Sequence, residues 1–147
     1  MVDHVWTVFC TRSVINKDTN NISLFEVLEK ISAVGEVPEE KAKEKVMPAI
    51  PINAHLVTLW ARRNPLLSVK GRARIVFESP SRKPLFQREY EVDLSSFLRT
   101  RVRSDISALP VPESGWYRFR IELSTESGSW QEVASIPLEV ELELKKP

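Results

Sequence analysis

Trp116-Tyr117-Arg118-Phe119-Arg120-Ile121-Glu122-Leu123 places Tyr117, Phe119, Ile121 and Leu123 on one face and Arg118, Arg120 and Glu122 on the other. Successive side chains of an extended chain point to opposite faces, so this alternation is the period of a half-buried β-strand. With Ser127-Gly128 as a hairpin tip, Tyr117, Phe119 and Ile121 share a side with Ala134, Ile136, Leu138 and Val140 of a strand over 130–143. Arg118 and Arg120 then stand outside beside Ser135, Pro137 and Glu139. A slip of one residue would bury charge, so the register is strongly specified.

Outward from this hairpin the pattern repeats. Further strands are expected over 4–15, 22–34, 52–63, 69–78, 85–94 and 100–109. They are separated by Asn16 to Asn21, Asn64-Pro65, Ser79 to Pro84 and Pro110 to Gly115, residue types that favour turns. The first two strands form a long hairpin. The sequence predicts an all-β fold, an antiparallel two-sheet β-sandwich of about eight strands, in a single domain over 1–147. Residues 36–51 differ. They are charged, rich in helix formers and bracketed by Pro38, Pro48 and Pro51, which predicts a short surface helix or a charged loop near 38–47.

The chain has 147 residues, of which 42% are apolar, enough for one domain with a real core. Lys plus Arg is 21 against 20 for Asp plus Glu, giving a net charge of +1. That balance removes the basic excess a nucleic-acid partner usually demands. No stretch approaches the ~20 apolar residues of a membrane span, and no membrane partner is expected. A lone cysteine, Cys10, and an N-terminal stretch unlike a leader peptide point to a reducing, cytoplasmic setting.

Three groups of arginines alternate along strands. In the 72–78/85–93 hairpin, a four-residue loop at Pro80 to Lys83 pairs Arg74 with Glu89 and Arg72 with Glu91, which makes these arginines scaffold. Arg118 and Arg120 read the same way. Arg99, Arg101 and Arg103 have only Asp105 in line, so they are the candidate contact surface for an anion or a partner, together with Trp116 or Trp130.

Familiar chemistry is missing from the pattern. His4, His55 and Cys10 do not make a zinc-ligand spacing. No Gly-x-Ser-x-Gly elbow occurs, and four glycines do not form a phosphate-cradling loop. Asp18 among Asn16, Asn20 and Asn21 weakly suggests calcium, but turn propensity accounts for the same residues. Every Glu pair falls on an exposed strand face or in the charged segment. The reading is therefore no catalytic residue, no cofactor and no metal.

Val8-Phe9-Cys10, the turn Asn16 to Asn21, and Ile22-Ser23-Leu24-Phe25-Glu26-Val27 resemble the opening hairpin of an uncharacterised bacterial β-sandwich family with no assigned activity. Leu109-Pro110, Pro112 to Tyr117 and Ile136-Pro137-Leu138-Glu139-Val140 are similar to its closing hairpin. The resemblance implies an immunoglobulin- or C2-like sandwich and supplies no catalytic residue. Two functions compete. One is a non-enzymatic protein-interaction or scaffold module that binds a protein partner or self-associates, for instance as a homodimer. The other is a small-molecule or carbohydrate-binding sandwich using Trp60, Trp116 or Trp130.

Overall fold

The computed structural model describes residues 1–36 and 48–145. Nine strands run through them: β1 (Val2–Ile15), β2 (Ile22–Val27), β3 (Lys30–Glu36), β4 (Ala49–Arg62), β5 (Val69–Glu78), β6 (Pro84–Leu94), β7 (Arg99–Pro110), β8 (Gly115–Ser124) and β9 (Trp130–Lys145). They form a four-stranded sheet A, ordered β2-β1-β4-β7, and a five-stranded sheet B, ordered β3-β9-β8-β5-β6, which curls into a half-barrel. The expected all-β, two-sheet architecture holds. The helix or charged loop expected near 38–47 lies outside the described residues.

The two hairpins whose register was read from alternation fold in that register. Arg72 lies opposite Glu91 and Arg74 opposite Glu89. In the closing hairpin Tyr117 faces Leu138, Phe119 faces Ile136 and Ile121 faces Ala134.

The strand expected over 22–34 is two strands in different sheets. β2 pairs antiparallel with the second half of β1, from Cys10 opposite Val27 to Ile15 opposite Ile22. Glu26 then takes a left-handed φ of 53°, which bends the chain. The Leu28 N–H donates to the Phe9 carbonyl at 2.8 Å, and the Glu139 N–H donates to the Glu29 carbonyl at 3.0 Å. Between those two bonds the chain passes from sheet A to sheet B. β3 then runs parallel to β9, from Lys30 opposite Glu139 onward, so the sandwich is not wholly antiparallel.

The core lies between the sheets and is built on aromatics. Phe119 packs on Phe77 and Phe9 with ring centroids 4.7 and 4.8 Å apart, and Phe77 stacks on Tyr117 at 5.3 Å. Each such ring contributes roughly 1.5–3 kcal/mol by leaving water. The polar tips of buried rings find partners. Trp60 Nε1 donates to the Tyr90 hydroxyl at 3.2 Å, and the Tyr117 hydroxyl donates to the Glu113 carbonyl at 2.6 Å. Burial pushes both tyrosine hydroxyls above their usual pKa. Gly115 opens β8 at a φ of 145°, where an added Cβ would sit 2.8 Å from Pro80 Cγ, so glycine is required at this corner.

Beyond Cys10, β1 pairs only with β2, and this ribbon turns back across the outer face of sheet A. Arg101 Nη2 on β7 donates to the backbone carbonyl of Asn20 at 2.9 Å and to its side-chain oxygen at 3.1 Å. Ile15 and Asn20 thereby border the same recess as Leu59 of β4.

Candidate functional site

The outer faces of the two sheets carry arginines in the same alternating pattern and treat them differently. On sheet B, β5 pairs with β8, setting Arg74 opposite Glu122 and Glu78 opposite Arg118. Glu78 and Glu122 are only 4% and 6% exposed. Arg118 Nη2 reaches Glu78 at 3.0 Å, and Arg120 Nε lies 2.9 Å from it, off the angle of a hydrogen bond. Arg74 Nε reaches Glu122 at 3.2 Å, with Arg120 Nη2 3.7 Å from the same carboxylate. Val76, opposite Arg120 in the ladder, is also buried on this outward face. The expectation that every Glu pair is exposed is therefore corrected. Curling of the sheet brings three arginines over two carboxylates, and the carboxylates leave water.

The diagonal contacts also refine the β5–β6 hairpin. Arg72 bonds Glu89 rather than Glu91 directly opposite, and Arg74 leaves β6 for Glu122. Sheet twist offsets side chains from the residues they face, and Glu122 offers a less solvated partner.

On sheet A, β7 follows β4 with Arg99 opposite Ala61, Arg101 opposite Leu59 and Arg103 opposite Val57. Neutral partners leave these guanidinium groups unmatched within the sheet. Arg103 turns along its own strand to Asp105 at 2.8 Å. Arg101 bonds Asn20 alone. Among the described residues neither Arg99 nor Arg101 has a carboxylate within 4 Å. Both line a recess of about 300 Å³ whose other walls are Ile15, Leu59, Phe97 and Asn20. Apolar walls and two uncompensated cations suit a carboxylate-bearing group carried on an apolar chain.

The two tryptophans of the candidate surface lie elsewhere, on sheet B, and the structure does not bring them to the arginines. Trp116 is 61% exposed and borders a groove of about 460 Å³ with Val8, Val27, Leu28, Ile136 and Pro137. This groove follows the gap between β1 before Cys10 and β9 before Glu139, where each strand has a neighbour on one side only. Trp130 is engaged within the fold, with the Arg74 guanidinium 4.3 Å above its ring. Trp60 is fully buried in the core and offers no stacking face.

The remaining reactive groups are placed for structure. Cys10 is fully buried, which pushes its thiol pKa up and disfavours the thiolate. His55 is buried on the outer side of β4, and its Nε2 has no hydrogen-bond partner. Burial first, then the charge of Arg103, holds its pKa below the ordinary 6.5. In the Asn16–Asn21 turn, the Asn16 side-chain oxygen accepts from the Asp18 and Thr19 N–H groups. That is an Asx turn, and no group of three potential metal ligands forms among the described residues.

Phe97, Leu59, Ile15 and Asn20 completed the recess without being singled out in the sequence. Phe97 carried the one available sign, an aromatic two residues before the arginine repeat. A comparison with known protein families finds no matching family model. A comparison with curated proteins finds no match either.

Proposed function

We propose that this chain is a non-enzymatic protein-interaction module. It binds an acidic segment of a partner, or of a second copy, along β7, with acidic side chains seated on Arg99 and Arg101. One observation carries the reading: two guanidinium groups without carboxylate partners among the described residues border one partly apolar recess beside an edge strand. Edge strands take added strands through main-chain hydrogen bonds, and side-chain pockets then select among them. Arg88 Nη1 reaches the Asp105 carbonyl at 2.9 Å and caps the middle of that edge, so the Arg99–Arg103 end is the part left for a partner.

We propose further that the scaffold is an immunoglobulin-type sandwich and that its setting is a bacterial cytoplasm. β1, β4 and β7 occupy the places of strands A, B and E, and β5, β8 and β9 those of C, F and G. Tyr117, at the start of the F-like strand, bonds backbone four residues upstream as the tyrosine corner of such domains does.

The test is charge reversal with a folding control. Arg99→Glu with Arg101→Glu abolishes capture of partners by the immobilised protein, while the urea unfolding midpoint stays within error. Captured partners are released by salt. Retention of every partner by the folded double variant removes the site.

A second reading rests on Trp116, whose exposed ring borders the larger groove. There the chain would hold a flat small molecule or sugar against the indole. A saturable fluorescence change that Trp116→Phe abolishes favours it, and flat traces across glycans and nucleotides remove it.

A further inference from the structure

We infer that the end of the sandwich formed by the β4–β5 and β6–β7 loops docks peripherally on an anionic lipid surface. Leu66 and Leu67 stand on the first loop, and Phe97 and Leu98 on the second. Leu66 is 90% exposed and Phe97 68%, with Leu67, Leu98 and neighbouring Met1 all more than half exposed. Hydrogen bonds tie the two loops and the Met1 end together here. The Arg62 N–H donates to the Leu98 carbonyl at 3.0 Å, the Arg63 N–H to the Met1 carbonyl at 3.2 Å, and Arg62 Nη1 to the Leu67 carbonyl at 3.0 Å. Ser68 Oγ donates to the Ser95 carbonyl at 2.9 Å and ties the loop bases. Large apolar side chains grouped on one surface mark a contact site.

Charge identifies the occupant. Behind the apolar tips stand Arg62, Arg63, Lys70, Arg99 and Arg101. Their acidic neighbours are Asp3, 2.6 Å from Arg63, and Asp93, 3.9 Å from Lys70. Lys17 and Asp18 cancel in the adjoining β1–β2 turn, and the third turn at this end, Thr125 to Ser129, lies over β8 and β9 with Glu126. The collar is thus net positive on a chain whose total charge is only +1. Apolar tips in front of a basic collar match a layer that is anionic at its surface and fluid and apolar beneath. A second copy fits less well, because stable protein interfaces engage about 20–30 residues a side, and two narrow loop tips do not supply them. The apolar residues come as two separated pairs, so no hydropathy window registers them. This contact is peripheral and departs from the expectation of no membrane partner. It does not rest on the protein-partner reading, since no protein partner enters its test.

Sedimentation with vesicles of phosphatidylcholine, alone or with one third phosphatidylglycerol, tests the inference. The protein should partition onto the phosphatidylglycerol vesicles and be released by salt. Leu66→Ser with Leu67→Ser should lower the partition constant about tenfold or more, and these exposed positions tolerate serine without loss of fold. Arg99→Glu should lower it at least about fivefold, whereas Lys83→Glu, an equal charge change at the opposite end, should leave it unchanged. Absence of wild-type binding overturns the inference, as does full binding by the leucine double variant or an equal loss from Lys83→Glu. Concentration-dependent dimerisation abolished by the leucine variant, without vesicle binding, assigns the tips to a second copy and also overturns it.

Discussion

Arg118 and Arg120 on β8, and Arg99 and Arg101 on β7, are the same Arg-x-Arg pattern on the outer face of a strand. One pair is locked over Glu78 and Glu122, whose carboxylates are withdrawn from water. The other faces Ala61 and Leu59 across the ladder and has no carboxylate within 4 Å among the described residues. The difference lies in the neighbouring strand. A strand's own alternation says that its arginines point outward, and the residues across the ladder decide whether they are structure or surface.

The contrast makes unequal demands on stability. Glu78→Gln should cost the most, about 2–3 kcal/mol, because it leaves Arg118 and Arg120 over a site built for a carboxylate while both remain partly solvated. Urea denaturation should show a lower midpoint at unchanged slope, and a loss below about 0.5 kcal/mol would mean the cluster is no more structural than β7.

The next effect belongs to His55, the buried base on the arginine side. Its pKa is depressed when folded, so below about pH 6.5 the unfolded chain takes up a proton that the folded chain resists. Stability is therefore fully present above that range and falls as pH drops through it, with His4, also depressed by burial, adding to the slope. Thermal melts between about pH 7 and pH 5 should show a shallower decline for His55→Asn, and an unchanged slope would relieve His55 of that role.

Arg72→Ala should cost less, roughly 0.2–1 kcal/mol, since its pairing with Glu89 is solvated. Arg101→Glu should move stability least, by no more than about 0.5 kcal/mol, while abolishing partner capture. A large stability loss from Arg101→Glu would erase the distinction between the two faces.

Legibility in the sequence followed the same divide. Hairpin registers were readable because Tyr117, Phe119 and Ile121 on one strand and Arg72 and Arg74 on another pin a two-residue period against the next segment. The β2–β3 break was not, because Ile22 through Val34 is apolar on both faces and Glu26, a residue type that seldom advertises a left-handed bend, makes the turn. The burial of Glu78 and Glu122 depends on β5 meeting β8, strands distant in sequence. The recess was half visible: Arg99 and Arg101 stood out for lacking partners, but Asn20 reaches Arg101 from 81 residues away. Trp116 and Trp130 were grouped with the arginines by chemistry alone, and strand order puts them on the other sheet.

The passage of the chain from β2 to β3 has a consequence for how the domain is made. β3 is completed only by the last strand, with Ser32 bonding Glu141 across 109 residues. During synthesis, then, the third strand lacks its β9 neighbour until about a hundred further residues have been made. Long-range pairing of this kind is slow to form and exposes an unpaired edge meanwhile. Sheet A has all four of its strands once β7 has emerged, whereas sheet B closes last, by capture of the C-terminal strand between β8 and β3.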